Sequence, residues 1–306
     1  MRLPGQQIRT SYPLAVLSRY RGRVAIMVDQ LVCRGSVPVE HSIILGISFS
    51  PLTRDMLLHR LLNDPVPSGD GARLLVTANV DHISNLVRNS RFRAAYAGAW
   101  IATADGTPVF LYARLRGIAV PERVTGADLS AALLDRMSPH LCRPFFVVGC
   151  EKTGIRLREQ LTRRGFDPEA VGFACPEFGF ENNTETSAAL ARTIREHGTT
   201  HLFFGLGAPK SEIWLHEHRH LLGDTYALAI GASLDFYVGL RRRAPVWMRR
   251  YGLEWAWRIM SEPKRLFRRY FIESWYALWA VTLDLFASKF PQGRVMPVAR
   301  EREQSA

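Results

Sequence analysis

Short apolar runs alternate with longer amphipathic segments through most of the chain, beginning at about residue 41. The runs ARLLVTANV, AWIATADG, PFFVVGC, VGFAC, HLFFGLG and YALAIGAS have the length and composition of buried strands, and SIILGISFS is typical of a strand with a turn. The segments RDMLLHRLLND, HISNLVRNSRFRAAYAG, DLSAALLDRMSPH and TGIRLREQLTRRG space apolar side chains as helices with one buried face do. This alternation predicts an α/β, Rossmann-like fold, with a mostly parallel sheet that helices cover on both faces.

The pattern changes near Leu240, where the alternation of strands and helices ends. Residues 241–270 contain ten Arg or Lys side chains and two Glu, a net charge of +8 out of +12 for the whole chain. Aromatic side chains lie between these basic residues, which favours a helical appendage over a further strand–helix unit. We therefore expect an N-terminal extension over 1–40, an α/β domain over 41–240, a basic aromatic appendage over 241–290 and a mobile tail over 291–306.

The positive charge calls for an anionic partner, and a nucleic acid, an anionic membrane surface or a phosphorylated substrate would each fit it. No apolar run has the form of a signal peptide or a membrane-spanning helix, so we expect a cytoplasmic chain. The four cysteines include no Cys-x-x-Cys pair, and we expect Cys150, at the end of a strand, to fill the core. No Asp-x-Asp pair is present either, so we expect arginines to neutralise any bound diphosphate in place of a metal.

Polar side chains follow two of the predicted strands. Ligands of open α/β sheets bind beyond the carboxyl ends of the strands, so these side chains are candidates for a site. Thr77 and Asn79 end ARLLVTANV and either bind a substrate or cap the next helix. Asp105 ends another strand, where a carboxylate can serve as a general base, although Asp-Gly is also an ordinary turn sequence.

Two later strand ends carry further candidates. In GLGAPKSE, the turn at Gly207 and Lys210 in the first turn of a helix either bind phosphate or form an ordinary strand-to-helix connection. The segment matches neither the dinucleotide fingerprint nor the Walker loop. In GASLDFYVG, Asp235 is placed to cap a helix, bind a ligand or hold a nearby arginine.

Together these segments resemble the WecG/TagA/CpsF family of glycosyltransferases. Seven stretches carry the resemblance in a consistent order over about residues 43–272: VTANVDH, WIATADGTPVF, PERVTGADL, LFFGLGAPKSEIW, GASLDFYVG, RRRAPVWMRRYGLEWAWR and EPKRLFRRY. The resemblance implies one Rossmann-like domain with a C-terminal helical appendage. It also implies an inverting transferase that takes a UDP-sugar and needs no metal or other cofactor. The implied acceptor is N-acetylglucosamine on undecaprenyl diphosphate, and the implied donor carries N-acetylmannosamine, its uronic acid or another hexose such as glucose.

The resemblance also assigns roles to individual residues. It makes Asp105 the catalytic residue. It places the substrate-binding residues at Thr77, Asn79, Arg123 and three appendage arginines, Arg258, Arg265 and Arg268. We add Gly207, Lys210 and Asp235 from the strand ends, and we expect Pro263 to break the appendage helix near Glu262. Two positions depart from the family pattern: Ala78 replaces a proline, and Ser211 replaces a glutamine, which puts one substrate contact in doubt.

Other functions compete with the enzyme hypothesis. A nucleic-acid-binding protein would explain the charge but gives Asp105 no role, and a dinucleotide-dependent oxidoreductase should carry the glycine fingerprint. A non-catalytic membrane scaffold would explain the appendage alone. We therefore expect a transferase at the inner face of the plasma membrane that binds a UDP-sugar, a polyprenyl-diphosphate-linked sugar and an anionic membrane, and not nucleic acid. The sequence leaves open whether the chain forms a homo-oligomer.

Overall fold

The fold is taken from a computed structural model that describes residues 43–66, 68–261, 263 and 274–287. The expected extension over 1–40, the tail over 291–306, the helix break at Glu262, and both Arg265 and Arg268 lie outside these ranges. The fold that follows is that of the described part of the chain.

Six parallel strands form the central sheet, and a short hairpin precedes them. The hairpin pairs β1 (Ile43–Ile44) with β2 (Ile47–Ser48). The sheet contains β3 (Arg73–Ala78), β4 (Ile101–Ala104), β5 (Pro144–Val147), β6 (Gly172–Ala174), β7 (His201–Phe204) and β8 (Tyr226–Ala229). Its strand order is β4-β3-β8-β7-β5-β6, and every neighbouring pair is parallel. The predicted Rossmann-like α/β fold is confirmed.

Helices connect the strands and continue after the last one. Those up to β5 are α1 (Arg54–Asn63), α2 (Val80–Arg88), α3 (Ser90–Ala97), α4 (Thr107–Leu115) and α5 (Gly126–Arg136). Those that follow are α6 (Glu151–Arg163), α7 (Thr184–Glu196), α8 (Lys210–His218), α9 (Ser233–Tyr237), α10 (Val246–Arg250), α11 (Glu254–Ser261) and α12 (Ser274–Ala287).

Both faces of the sheet are buried, which explains why its strands are continuously apolar in sequence. Side chains alternate along each strand: Leu202 and Phe204 of β7 enter one apolar cluster, and Phe203 enters the other. Helices α2, α3, α4, α7, α8 and α12 cover the first face, and α1, α5, α6 and α9 cover the second. The sheet is therefore a rigid platform for the loops at its carboxyl edge.

Three local features differ from the expectations. The single helix expected over HISNLVRNSRFRAAYAG is two helices, because Asn89 leaves the helical conformation and its side chain accepts a hydrogen bond from the Phe92 N–H as the cap of α3. Helix α4, with Pro108 in its first turn, was not expected. Cys150 is exposed at the N-terminus of α6, so its expected place in the core is wrong.

Helix α12 packs one face on the α/β domain and exposes the other. Ala277 and Ala280 are buried in the first apolar cluster, where the helix packs against α2. Asp284 accepts a hydrogen bond from the Tyr112 hydroxyl at 2.6 Å and pairs with Arg116 at 3.0 Å. The exposed face carries large apolar side chains: Trp275, Leu278, Trp279, Leu285 and Phe286. None of the helices in the described ranges is both long and apolar enough to span a membrane.

Candidate active site

A cavity of about 1210 Å³ lies at the carboxyl edge of the sheet, beyond the ends of β3, β4, β5, β7 and β8. Eight of the ten candidate residues line it, and the other two, Arg265 and Arg268, lie outside the described residues. The eight are Thr77, Asn79, Asp105, Arg123, Gly207, Lys210, Asp235 and Arg258. The parallel sheet thus brings side chains more than 180 positions apart in sequence to one cavity.

Thr77 and Asn79 lie side by side at the end of β3 but are held differently. The Asn79 side-chain oxygen caps α2, accepting hydrogen bonds from the N–H groups of Asp81 and His82. Its amide nitrogen makes no hydrogen bond to any residue that the structure describes, so it remains available to a ligand. Thr77 is buried at the cavity wall, and its hydroxyl likewise has no partner within the described ranges. Asn79 therefore combines a capping role with an exposed donor, whereas Thr77 presents a hydroxyl alone.

Asp105 follows β4, which pairs with β3, and directly precedes the N-terminus of α4. Burial raises the pKa of its carboxyl from 3.8 to about 6. The positive charge of Arg258 opposes this rise, the negative charge of Glu254 adds to it, and Arg123 and a hydrogen bond from the Gly126 N–H also oppose it. A carboxyl with a pKa near 6 is ionised at neutral pH and is still a stronger base than an ordinary aspartate, which suits general base catalysis.

Arg123 joins the Asp105 loop to the appendage. Its guanidinium donates to the backbone carbonyl of Asp105 and to that of Arg249, both at 3.3 Å. Arg249 also lies 3.7 Å from the carboxylate of Asp128, in the first turn of α5. The appendage is therefore fixed next to the candidate base.

Gly207 and Lys210 connect β7 to α8. Gly207 has φ +89°, a conformation that glycine adopts without strain. Lys210 begins α8 and pairs with Glu181 at 2.8 Å, while its ammonium lies 4.6 Å from the ring centre of the exposed Phe178. Ser211 is buried and its hydroxyl donates to the Gly207 carbonyl, so this side chain stabilises the turn and does not line the cavity. A phosphate that binds Lys210 must compete with Glu181.

Asp235 has partners within the protein. Its carboxylate accepts a hydrogen bond from the Thr153 hydroxyl at 2.7 Å and lies 3.2 Å from Arg241. The sequence left three roles open for Asp235, and the structure shows one of them: it holds an arginine, Arg241. It also lines the cavity, beside Phe236.

Comparison with known proteins identifies the chain. A family profile described as "Glycosyl transferase WecG/TagA/CpsF family" matches residues 42–290, most of the chain. The chain belongs to the WecG/TagA/CpsF family of glycosyltransferases. One curated relative is the N-acetylglucosaminyldiphosphoundecaprenol N-acetyl-beta-D-mannosaminyltransferase of Bacillus spizizenii. The two are 29% identical over 192 residues, which cover 62% of this chain and 72% of the relative.

One charged group at the cavity of this WecG/TagA/CpsF transferase, Glu254, was missed from sequence, together with its partner outside the cavity lining, Arg243. Glu254 of α11 lines the cavity and pairs with Arg258 at 3.2 Å and with Arg243 at 3.7 Å. Its spacing of four from Arg258 was a usable signal for the first pair, but nothing in the sequence indicated the second.

A buried cluster behind Asn79 was also missed. His82 lies 2.5 Å from the Tyr96 hydroxyl through Nδ1 and 3.8 Å from the Glu212 carboxylate through Nε2. Burial raises the pKa of Tyr96 well above its ordinary value, and the negative charge of Glu212 adds to this effect. Across the described part of the chain, no group of three or more His, Cys, Asp or Glu side chains is arranged to hold a metal ion.

Proposed function

We propose that this glycosyltransferase moves a hexose from a UDP-sugar to a sugar linked to a polyprenyl diphosphate, with inversion at the anomeric carbon. Polysaccharides of the cell surface are built from such lipid-linked sugars. The proposal is supported by the family, by the activity that the name of the Bacillus spizizenii relative states and by the surroundings of Asp105. N-acetylmannosamine is the donor sugar we favour, because the relative's name states that it transfers this sugar. A family member with a different donor sugar, such as glucose or a uronic acid, is the alternative.

The observation that carries the proposal is the position and basicity of Asp105. In an inverting transfer, the acceptor hydroxyl attacks the anomeric carbon from the face opposite the UDP. The bond from the anomeric carbon to the acceptor oxygen forms while the bond to the UDP oxygen breaks. Asp105 takes the hydroxyl proton, and UDP leaves with the electron pair of the broken bond. A positioned base contributes about 10²–10⁴-fold to such a reaction.

Cationic side chains of the cavity suit the two diphosphates. Arg258 and Lys210 line the cavity, and each is held near a carboxylate, Glu254 or Glu181. Guanidinium groups remain charged and bind phosphate oxygens in pairs, so they are able to stabilise the departing UDP without a metal. We include Arg265 and Arg268 in this set from the family resemblance, and we assign Thr77 and the amide of Asn79 to the sugar or the nucleotide.

We further propose that the appendage rests on the inner face of the plasma membrane, where a lipid-linked acceptor would be found. The exposed face of α12 carries Trp275, Trp279 and Phe286, and α10 exposes Trp247. Tryptophan favours the membrane–water interface, and basic residues near an anionic surface contribute about 1 kcal/mol each.

A donor screen tests the proposed function. Purified protein is given several UDP-sugars together with a short-chain lipid-diphosphate N-acetylglucosamine, and UDP release and the anomeric configuration of the product are measured. We expect one UDP-sugar to give an inverted product, and Asp105→Asn to slow the reaction about 10²–10⁴-fold. Failure of every UDP-sugar, together with no rise in Tm at millimolar UDP, would refute the donor class.

A further inference from the structure

Four side chains of alternating charge connect α5 to α11. Arg243 pairs with Asp128 of α5 at 2.7 Å and with Glu254 of α11 at 3.7 Å. Glu254 in turn pairs with Arg258 at 3.2 Å, one helical turn along α11. Asp128 is also fixed by the Thr125 hydroxyl, which donates to it at 2.7 Å. We call Asp128, Arg243, Glu254 and Arg258 the charge chain.

Glu254 and Arg258 of the charge chain line the same cavity as the Asp105 carboxyl. Four groups, together with burial, act on the ionisation of this carboxyl: Arg258 and Glu254 from α11, Arg123 from the loop before α5, and the Gly126 N–H from α5. The negative charge of Asp105 in turn helps to raise the pKa of Tyr96 in α3. Glu254 is the one carboxylate among these four groups, so its effect on the pKa of Asp105 is opposite in sign to that of both arginines.

The position of Glu254 does not fit a simple surface pair on a helix. Its side chain is 14% exposed, it lines the cavity, and it contacts two arginines from different segments. A solvent-exposed pair spaced by four residues stabilises a helix by only about 0.3–0.5 kcal/mol and needs neither burial nor a second cation. A carboxylate this buried must be matched by fixed positive charge, and here that charge comes from Arg258 and Arg243.

We propose that Glu254 is a positioning residue for sugar transfer: it holds Arg258 at the cavity wall beside Asp105 and prevents Arg258 from pairing fully with Asp105. Asp105 then remains the stronger base, and Arg258 remains placed for a diphosphate. Without the Glu254 charge, the positive charge of Arg258 is no longer partly neutralised and interacts more strongly with Asp105. Asp105 then becomes a weaker base, and it draws Arg258 away from the substrate. This inference rests on the proposed role of Asp105 as the general base.

The pH dependence of kcat/KM tests the inference, measured from about pH 5 to about pH 9 with the donor identified by the screen. In the wild type, kcat/KM should rise with pH through the pKa of Asp105, which is about 6. Glu254→Gln keeps the shape of the side chain and removes its charge, so we expect the midpoint of this rise to move to lower pH by about half a unit or more. We also expect KM for the diphosphate substrate to rise severalfold, and Glu254→Asp, which keeps the charge, to restore part of both properties.

Arg243→Gln provides a test with the opposite sign. It removes a cation that compensates Glu254 and leaves the Glu254 charge in place, so the midpoint should move to higher pH. Glu217→Gln is the matched control, because Glu217 pairs with Arg91 at 2.7 Å on the surface and does not line the cavity. This control should leave both the midpoint and KM unchanged.

The outcomes separate this inference from the proposed function. If the wild-type rise is absent and Asp105→Asn remains active, the proposed role of Asp105 fails. If the rise is present and depends on Asp105, but Glu254→Gln lowers kcat equally at every pH with no change in midpoint, Glu254 is only structural and the inference is overturned. If Glu254→Gln does not fold, Glu254→Asp and Arg243→Gln provide the test instead. If the midpoint of the rise in kcat/KM is the same in Arg243→Gln as in the wild type, the inference is equally overturned.

Discussion

Replacing Asp105 with Asn should stabilise the protein at neutral pH while removing most of its activity. The Asp105 carboxyl has a pKa of about 6 in the fold, against 3.8 ordinarily, because burial disfavours its charged form. At 1.36 kcal/mol per pKa unit, keeping it ionised costs the folded state about 3 kcal/mol at neutral pH. The carboxyl is partly open to the cavity, so solvent screening reduces this cost to about 2 kcal/mol. Asn is neutral and avoids that cost.

The sign of this effect depends on pH. Below pH 3.8 the carboxyl is protonated in both the folded and unfolded states, so the wild type and Asp105→Asn should be equally stable. Between pH 3.8 and about 6 the folded state binds more protons than the unfolded state, so the stability of the wild type falls as pH rises. The advantage of the variant therefore develops across this window and is complete above it.

Urea unfolding at about pH 7.5 and about pH 3.5 measures the effect, together with turnover at the higher pH. We expect Asp105→Asn to gain about 2 kcal/mol at the higher pH and nothing at the lower, and to lose about 10²–10⁴-fold in turnover. Asp128→Asn is a control of opposite sign. Burial disfavours the charge of Asp128, but hydrogen bonds from Arg243 and Thr125 outweigh burial and lower its pKa, so losing this carboxylate should destabilise the protein at pH 7.5. Equal destabilisation by Asp105→Asn at both pH values would show that the carboxyl is structural and not a strained base.

Five further substitutions should separate binding from structure. Thr77→Val should lower activity without lowering Tm, because the Thr77 hydroxyl has no partner in the described structure. Asn79→Ala should lower both activity and Tm, because it removes a helix cap that contributes about 1 kcal/mol. Activity and thermal unfolding of both variants test these expectations. Gly126→Ala should reduce turnover, because its Cβ would lie 3.2 Å from the Thr77 hydroxyl, and unchanged kinetics would contradict this close approach. The pair Trp275→Ala and Trp279→Ala should weaken binding to anionic liposomes in a flotation assay with little change in Tm, and full binding would show that this face of α12 does not contact the membrane.

The sequence predicted the strands well because each is a short apolar run whose faces are both buried. Helix boundaries were less predictable, since they depend on single residues. Asn89 ends α2 and caps α3 within a segment whose apolar spacing looked continuous. Helix α4 was not predicted because its apolar residues do not lie on one buried face: Leu111 and Leu115 are exposed. Cys150 was misplaced because the strand ends at Val147, three residues before it.

The candidate site was predictable only in part. Residues at strand ends, such as Thr77 and Asp105, follow from the rule that parallel strands present their carboxyl ends at one edge. The order of the strands does not follow from local sequence, and neither does the pairing of Glu254 with Arg243, eleven residues earlier on a different segment. The pairing of Lys210 with Glu181 was likewise not predictable, because Glu181 reaches it only after the chain has folded. For Asp235, an arginine partner was among the expected roles, but the hydrogen bond from Thr153 was not.

The strand order also has a consequence for synthesis on the ribosome. Strands β7 and β8 are the last of the sheet to be made, yet they lie at its centre, between the β3–β4 pair and the β5–β6 pair. Until residue 229 has left the exit tunnel, β3 presents one unpaired parallel edge, and β5, or β7 once it has paired with β5, presents another. Such edges are prone to pairing with other chains. The nascent chain therefore keeps two unpaired edges until β8 arrives, and because residues at the ends of β7 and β8 line the cavity, a chain without these strands lacks part of the cavity wall.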